Sequence, residues 1–128
     1  MPSVLIVDDD RANRDAFARI LAHAGFEVAI AEHGVAALDT LNTRDFDVIV
    51  SDVKMPELSG KGFYEQLEEL FPQSAGRVVF VTAYADDPKL QDFFKAAGQP
   101  VLGKPVELGA LVEAVREIAA KPFSGEHR

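Results

Sequence analysis

Five polar residues stand at or just after the ends of short apolar runs: Asp8 and Asp9 after VLIV (4–7), Asp52 after DVIVS (47–51), Thr82 after RVVFV (77–81), and Lys104 after PVLG (100–103). Acids gathered in one place repel, by about 1 kcal/mol per pair at roughly 4 Å in water and about 4 kcal/mol at the effective dielectric of a protein surface. A hard divalent cation offsets that cost, and Mg²⁺ typically takes one or two protein carboxylates while keeping waters and phosphate oxygens. A carboxylate beside such a cation can attack phosphorus and form an aspartyl phosphate. Phosphoryl transfer then needs in-line positioning and charge aimed at the equatorial oxygens. The Lys104 ammonium offers a point charge and the Thr82 hydroxyl a donor. Asp10, the third acid of DDD, reads instead as the N-cap of a following helix, accepting from an amide of its first turn.

These residues work together only if the fold gathers them. The apolar runs 4–7, 26–30, 47–51, 77–81 and 100–103 alternate with helical stripes, the pattern of βα units on a parallel sheet. The second run is the most polar, as suits an edge strand. The stripes are Phe17, Ile20, Leu21 and Ala24, stopped by Gly25; Val35, Leu38 and Leu41; Phe63, Leu67, Leu70 and Phe71 before Pro72; Leu90, Phe93, Phe94 and Ala97, ending at Gly98; and Leu108, Leu111, Val112, Val115 and Ile118. In an open parallel sheet, ligands bind outside the carboxyl ends of the strands where strand order reverses. In the order 2-1-3-4-5 that point lies between strands 1 and 3, with Asp8 and Asp9 beside Asp52 and with Thr82 and Lys104 on neighbouring strand ends.

The 128 residues suffice for one domain with its own core. Absence of cysteine excludes a disulfide framework, a thiolate metal site and a thiol nucleophile, and fits a reducing compartment. The start MPSVLIVDDD lacks a basic region and meets acids at once, unlike a signal peptide, and no run approaches the roughly 20 apolar residues of a membrane span. A cytoplasmic protein is expected. A net charge of -8 argues against nucleic acid or anionic lipid as partner and for a cation or a basic protein surface. His23, His33 and His127 share no ligand spacing and receive no role. Phe93 and Phe94 are expected to be half core, with room for one of them at the surface as a partner contact. Residues 1–120 are expected to form the domain and 121–128, KPFSGEHR, a flexible tail.

VLIVDDD, DVIVSDVKMPELSG, VFVTAYAD and PVLGKP, in this order, resemble the receiver domains of two-component response regulators, from Val4 to about Ala119. The resemblance implies a flavodoxin-like doubly wound (βα)5 α/β sandwich, its five-stranded parallel sheet in the order 2-1-3-4-5. It implies Asp52 as phosphoacceptor, Thr82 as switch hydroxyl and Lys104 as phosphate-binding lysine, followed by Pro105 in the family's usual place. It also implies a Mg²⁺ site of Asp8 (through water), Asp9, Asp52 and the backbone carbonyl of Lys54, with MPELSG as the turn that aims that carbonyl. The expected donor is a phosphohistidine on a sensor histidine kinase or a histidine phosphotransfer protein, and the expected output is contact with a downstream effector protein. Such a chain is no enzyme in the usual sense; it assists its own phosphorylation and dephosphorylation. AAGQPVLGKP is also similar to receivers joined to or served by hybrid histidine kinases, so the chain reads as a stand-alone receiver or an excised one.

Two positions depart from the commonest pattern. Val101 stands where the family often has a Tyr or Phe whose rotation reports phosphorylation, and a β-branched side chain cannot make that swing. Tyr84, with Lys54, borders the route of water to Asp52 and is expected to tune the lifetime of the phosphorylated state. Two other readings share parts of the pattern. A Mg²⁺-dependent phosphohydrolase with an aspartate nucleophile needs a cap or substrate pocket for which the length leaves little room. A flavodoxin-like flavin carrier needs a donor-rich loop after the first strand, where DDDRAN would repel a phosphate.

Overall fold

The computed structural model describes residues 1–53 and 60–122, with no side-chain description for Gly60 and Lys61. Five parallel strands, β1 (Ser3–Val7), β2 (Glu27–Ala31), β3 (Val48–Asp52), β4 (Val78–Thr82) and β5 (Val101–Gly103), pair in the order β2-β1-β3-β4-β5. Among the described residues the helices are α1 (Arg11–His23), α2 (Gly34–Leu41), α3 (Gly60–Leu70), α4 (Pro72–Ala75), α5 (Gln91–Ala97) and α6 (Leu108–Ala120), with a 3₁₀ turn at Pro88–Leu90. The α/β architecture and strand order are those expected.

Alternation along each strand builds two cores. On β1, Leu5 and Val7 join Ile49, Val78 and Phe80 beneath α2, α3 and α5, while Val4 and Ile6 join Val48, Val50, Val79 and Val81 beneath α1 and α6. Val4, Leu5, Ile6 and Val7 are all fully buried, each burial worth roughly 1.5–3 kcal/mol. β2 is an edge strand and the least buried of the five-residue strands, as its polarity suggested. Gly25 (φ 102°) and Gly98 (φ 69°) stop α1 and α5 in the left-handed region, where other residues are strained.

Several stripe residues do not reach a core. Val35, Leu70 and Leu108, at or near helix ends, are 45%, 54% and 38% exposed. Pro72 ends α3 but also starts α4: at N1 its missing N–H costs nothing, and Ala75 N–H closes the turn on the Phe71 carbonyl. The fourth and fifth expected helices are therefore α5 and α6. Phe93 and Phe94 are half core, as expected, and neither is fully exposed. Phe94 is buried and Phe93 half-buried; Phe93 packs with Tyr64, Phe80 and Phe94, and Phe94 with Phe80 and Phe93, at ring-centroid distances of 5.4 to 5.9 Å. His33 caps α2, its Nδ1 accepting from Ala36 N–H at 3.2 Å; His127 lies outside the described residues. At the amino end of the sheet, buried Arg77 donates to the carbonyls of Asp47, Ile118 and Lys121, tying β3 to the last turn of α6.

Candidate functional site

Register brings the strand ends level. Val7 pairs with Ala31 on one side and Ser51 on the other, Asp52 with Val81, and Thr82 with Gly103. Hydrogen bonding continues one residue beyond the strands: Asp8 N–H donates to the Ala31 carbonyl at 3.2 Å and Lys104 N–H to the Thr82 carbonyl at 2.8 Å. Residues 96 positions apart thereby meet: Lys104 Nζ donates to Asp8 Oδ2 at 3.0 Å and to Asp52 Oδ2 at 2.8 Å. Asp8 and Asp52 are buried, whereas Asp9 is exposed at the mouth of the site.

Electrostatics in this cluster is unbalanced. Burial pushes the Asp8 carboxyl above its ordinary value, assisted by the charge of Asp52; the Asp10 amide and Lys104 pull the other way without cancelling it. Burial alone would lower the Lys104 ammonium, but its hydrogen bonds to Asp52 and Asp8 and their charges hold it above the usual lysine range. One ammonium shared by two acids favours its own charge without repaying the burial of Asp8.

Asp8, Asp9 and Asp52 each offer a carboxylate oxygen within 4.8 Å of the others. The donors are all hard oxygens, two on rigid strand ends and one facing water. That set fits Mg²⁺, which prefers few carboxylates and retains waters. Lys54, whose carbonyl the resemblance adds to the ligands, lies outside the described residues, as do residues 55–59 of MPELSG.

The turn that carries the acids is held from several sides. Asp8 Oδ1 accepts from Asp10 N–H at 2.9 Å, and Asp10 Oδ1 accepts from Asn13 N–H at 3.1 Å, the N-cap expected for this residue. Arg14, which sequence reasoning missed, is buried on the same face of α1 as Phe17 and Leu21, and its Nη1 donates to the Asp8 carbonyl at 2.9 Å. Its spacing of three and seven residues from Phe17 and Leu21 was the available signal.

Thr82 is fully buried at the end of β4, and its Oγ1 accepts from Tyr84 N–H at 2.9 Å. Tyr84 is 44% exposed beside it. Val101 is half-buried on β5 and pairs with Phe80. Among the expected site residues, Asp8, Asp9, Asp52 and Lys104 are brought into one cluster, with Thr82 on the adjoining strand end.

Comparison with known proteins agrees with the fold. The family description "Response regulator receiver domain" matches residues 4–116. The chain is 33% identical over 118 residues to transcriptional regulatory protein FixJ of Bradyrhizobium diazoefficiens, covering 89% of this chain and 57% of that protein. It is 33% identical over 121 residues to sensor kinase CckA of Brucella abortus, covering 93% of this chain and 13% of the kinase. The CheY-like receiver domain structure from Methanospirillum hungatei superposes with a TM-score of 0.85 at 31% identity, covering 93% of this chain and 94% of that one. The chain thus spans little more than half, or far less, of these curated relatives, while matching the solved receiver nearly end to end. It belongs to the response regulator receiver domain family.

Proposed function

We propose that this receiver domain takes a phosphoryl group onto Asp52 from a phosphohistidine on a sensor kinase or histidine phosphotransfer protein. The observation that carries the reading is the bridging of the Asp8 and Asp52 carboxylates by Lys104 Nζ beside Asp9. An oxygen of Asp52 attacks phosphorus as the P–N bond breaks, the electron pair stays on the imidazole nitrogen, and an acyl phosphate forms. Lys104, held by both acids, turns its ammonium to an equatorial oxygen, and the Thr82 hydroxyl donates to another. Asp8, Asp9, Asp52 and the Lys54 carbonyl are the ligands proposed for Mg²⁺, which supplies charge against the phosphoryl oxygens when bound.

The chain acts as a phosphoacceptor that assists its own phosphorylation and dephosphorylation, with Tyr84 and Lys54 setting access of water. Phosphorylation shifts the balance between two conformations that an effector protein distinguishes. Since FixJ is named as a transcriptional regulator and CckA as a sensor kinase, the effector is left as a protein of either kind of pathway. No helix among the described residues is long and apolar enough to cross a membrane; the cytoplasm is the proposed compartment.

Incubation with Mg²⁺ and a small phosphodonor is expected to give an acid-stable, base-labile adduct that disappears in Asp52→Asn. Absence of the adduct in the parent protein refutes the reading, as does rapid turnover of many phosphomonoesters.

A further inference from the structure

Arg14 is only 8% exposed, and it forms no ion pair among the described residues. Its Nη1 donates to a neutral acceptor, the Asp8 carbonyl, and its Nε has no hydrogen-bond partner among those residues. A buried guanidinium without a carboxylate is costly. It is also badly placed by charge alone, since a cation behind an acidic cluster opposes the entry of another cation.

Geometry supplies the compensation. Asp8, Asp9 and Asp10 form a turn between a rigid strand and a capped helix, and Asp9 is the one acid of the cluster that the sheet does not hold. On its strand side the Asp8 carbonyl, the peptide oxygen immediately before Asp9, is pinned by Arg14 Nη1. On its helix side the Asp10 carbonyl accepts from Arg14 N–H at 3.0 Å. A single residue thus grips the peptide oxygens on both sides of Asp9, once through its side chain and once through its backbone.

We propose that Arg14 is a positioning residue of the cation site: it fixes the Asp8–Asp10 turn so that the Asp9 carboxylate is aimed at Asp8 and Asp52, and so strengthens Mg²⁺ binding although it is itself a cation. The inference rests on reading the acidic cluster as a Mg²⁺ site. Outer groups that orient ligands typically change metal affinity by 10- to 100-fold.

Charge and positioning predict opposite signs, which makes the test decisive. Mg²⁺ is titrated by calorimetry into the parent chain, Arg14→Met and Arg14→Lys, with a stabilising osmolyte present to keep a weakened variant folded. Arg77→Met, which removes a buried guanidinium from the opposite end of the sheet, controls for general loss of stability. We expect Arg14→Met to weaken Mg²⁺ binding about tenfold. Arg14→Lys, whose ammonium can donate to the same carbonyl, is expected to stay within about threefold of the parent, and Arg77→Met to leave the Kd unchanged. Unchanged or tighter binding by Arg14→Met overturns the proposal, as does equal weakening by Arg77→Met. Absence of Mg²⁺ binding in the parent chain overturns instead the reading of the cluster as a Mg²⁺ site, and the proposal with it.

Discussion

Replacing Lys104 by methionine removes the only charge that joins Asp8 to Asp52 among the described residues, while keeping a chain of similar length. With Asp8 1%, Asp52 9% and Lys104 17% exposed at their side chains, this is a buried arrangement and not a surface pair. Two carboxylate oxygens within 4.8 Å of each other repel by at least about 3.5 kcal/mol at an effective dielectric of 20 and at least about 0.9 kcal/mol in water. Removing one partner of a buried pair typically costs about 3–5 kcal/mol. Uptake of a proton by Asp8, already pushed upward by burial, relieves part of that cost. A loss of about 3 kcal/mol is therefore expected in urea unfolding at pH 7 without Mg²⁺, within the roughly 5–15 kcal/mol that a domain has available. The Lys104 ammonium is held above its ordinary value of 10.5, so its contribution is complete below that pH and fades as pH rises through the folded value. The deficit of Lys104→Met should persist through neutrality and narrow in strong alkali, and also in acid, where protonated acids no longer need the ammonium. Mg²⁺ should reverse the ranking of the two proteins in one respect. Freed of a competing cation, the variant's acids bind it more tightly, and each tenfold gain adds about 1.4 kcal/mol at saturation. The reasoning fails if the variant loses less than about 1 kcal/mol without Mg²⁺, or if Mg²⁺ stabilises both proteins equally.

Asp8 lends itself to a pH test. Its raised carboxyl means that the folded chain holds this proton more tightly than the unfolded chain, so its contribution to stability is present below about pH 3.8 and is lost as pH rises through the folded value. Asp8→Asn should therefore be more stable than the parent at pH 7 without Mg²⁺, by on the order of 1 kcal/mol, with the advantage shrinking toward pH 4; urea midpoints that are equal or lower at pH 7 contradict this. Asp9→Ala should abolish most of the Mg²⁺-dependent rise in thermal stability. Asp10→Ala should cost about 1 kcal/mol by removing the α1 cap yet preserve the Mg²⁺ response, and comparable loss of that response in both would place the two acids in one role.

Strand ends were the most legible part of the molecule. Strands buried on both faces read as unbroken apolar runs, so Asp8, Asp52, Thr82 and Lys104 stand out as abrupt changes at their ends. The edge position of β2 and the cap at Asp10 were legible for similarly local reasons. What stayed hidden depends on where a side chain ends in space. Arg14 and Arg77 look like surface cations, yet their guanidinium groups reach backbone carbonyls inside the fold. Pro72 carries opposite meanings for the helix before and the helix after it, and only the first was evident. Phe93 and Phe94 are adjacent on α5, where adjacent residues normally face apart, but ring size lets both reach Phe80 and touch each other.

The two margins of the sheet bear on how the protein behaves when concentrated. An open sheet leaves a row of backbone donors and acceptors at each side, a template on which another chain can add a strand and begin to aggregate. β5 limits this by being three residues long. β2 is longer and carries Ile30 at 50% exposure, but its first residue, Glu27, is held in an ion pair with Arg44 at 2.7 Å, so an approaching strand meets charge at that end. A pair remote from the chemistry of the domain thus guards the longer of the two edges of its sheet.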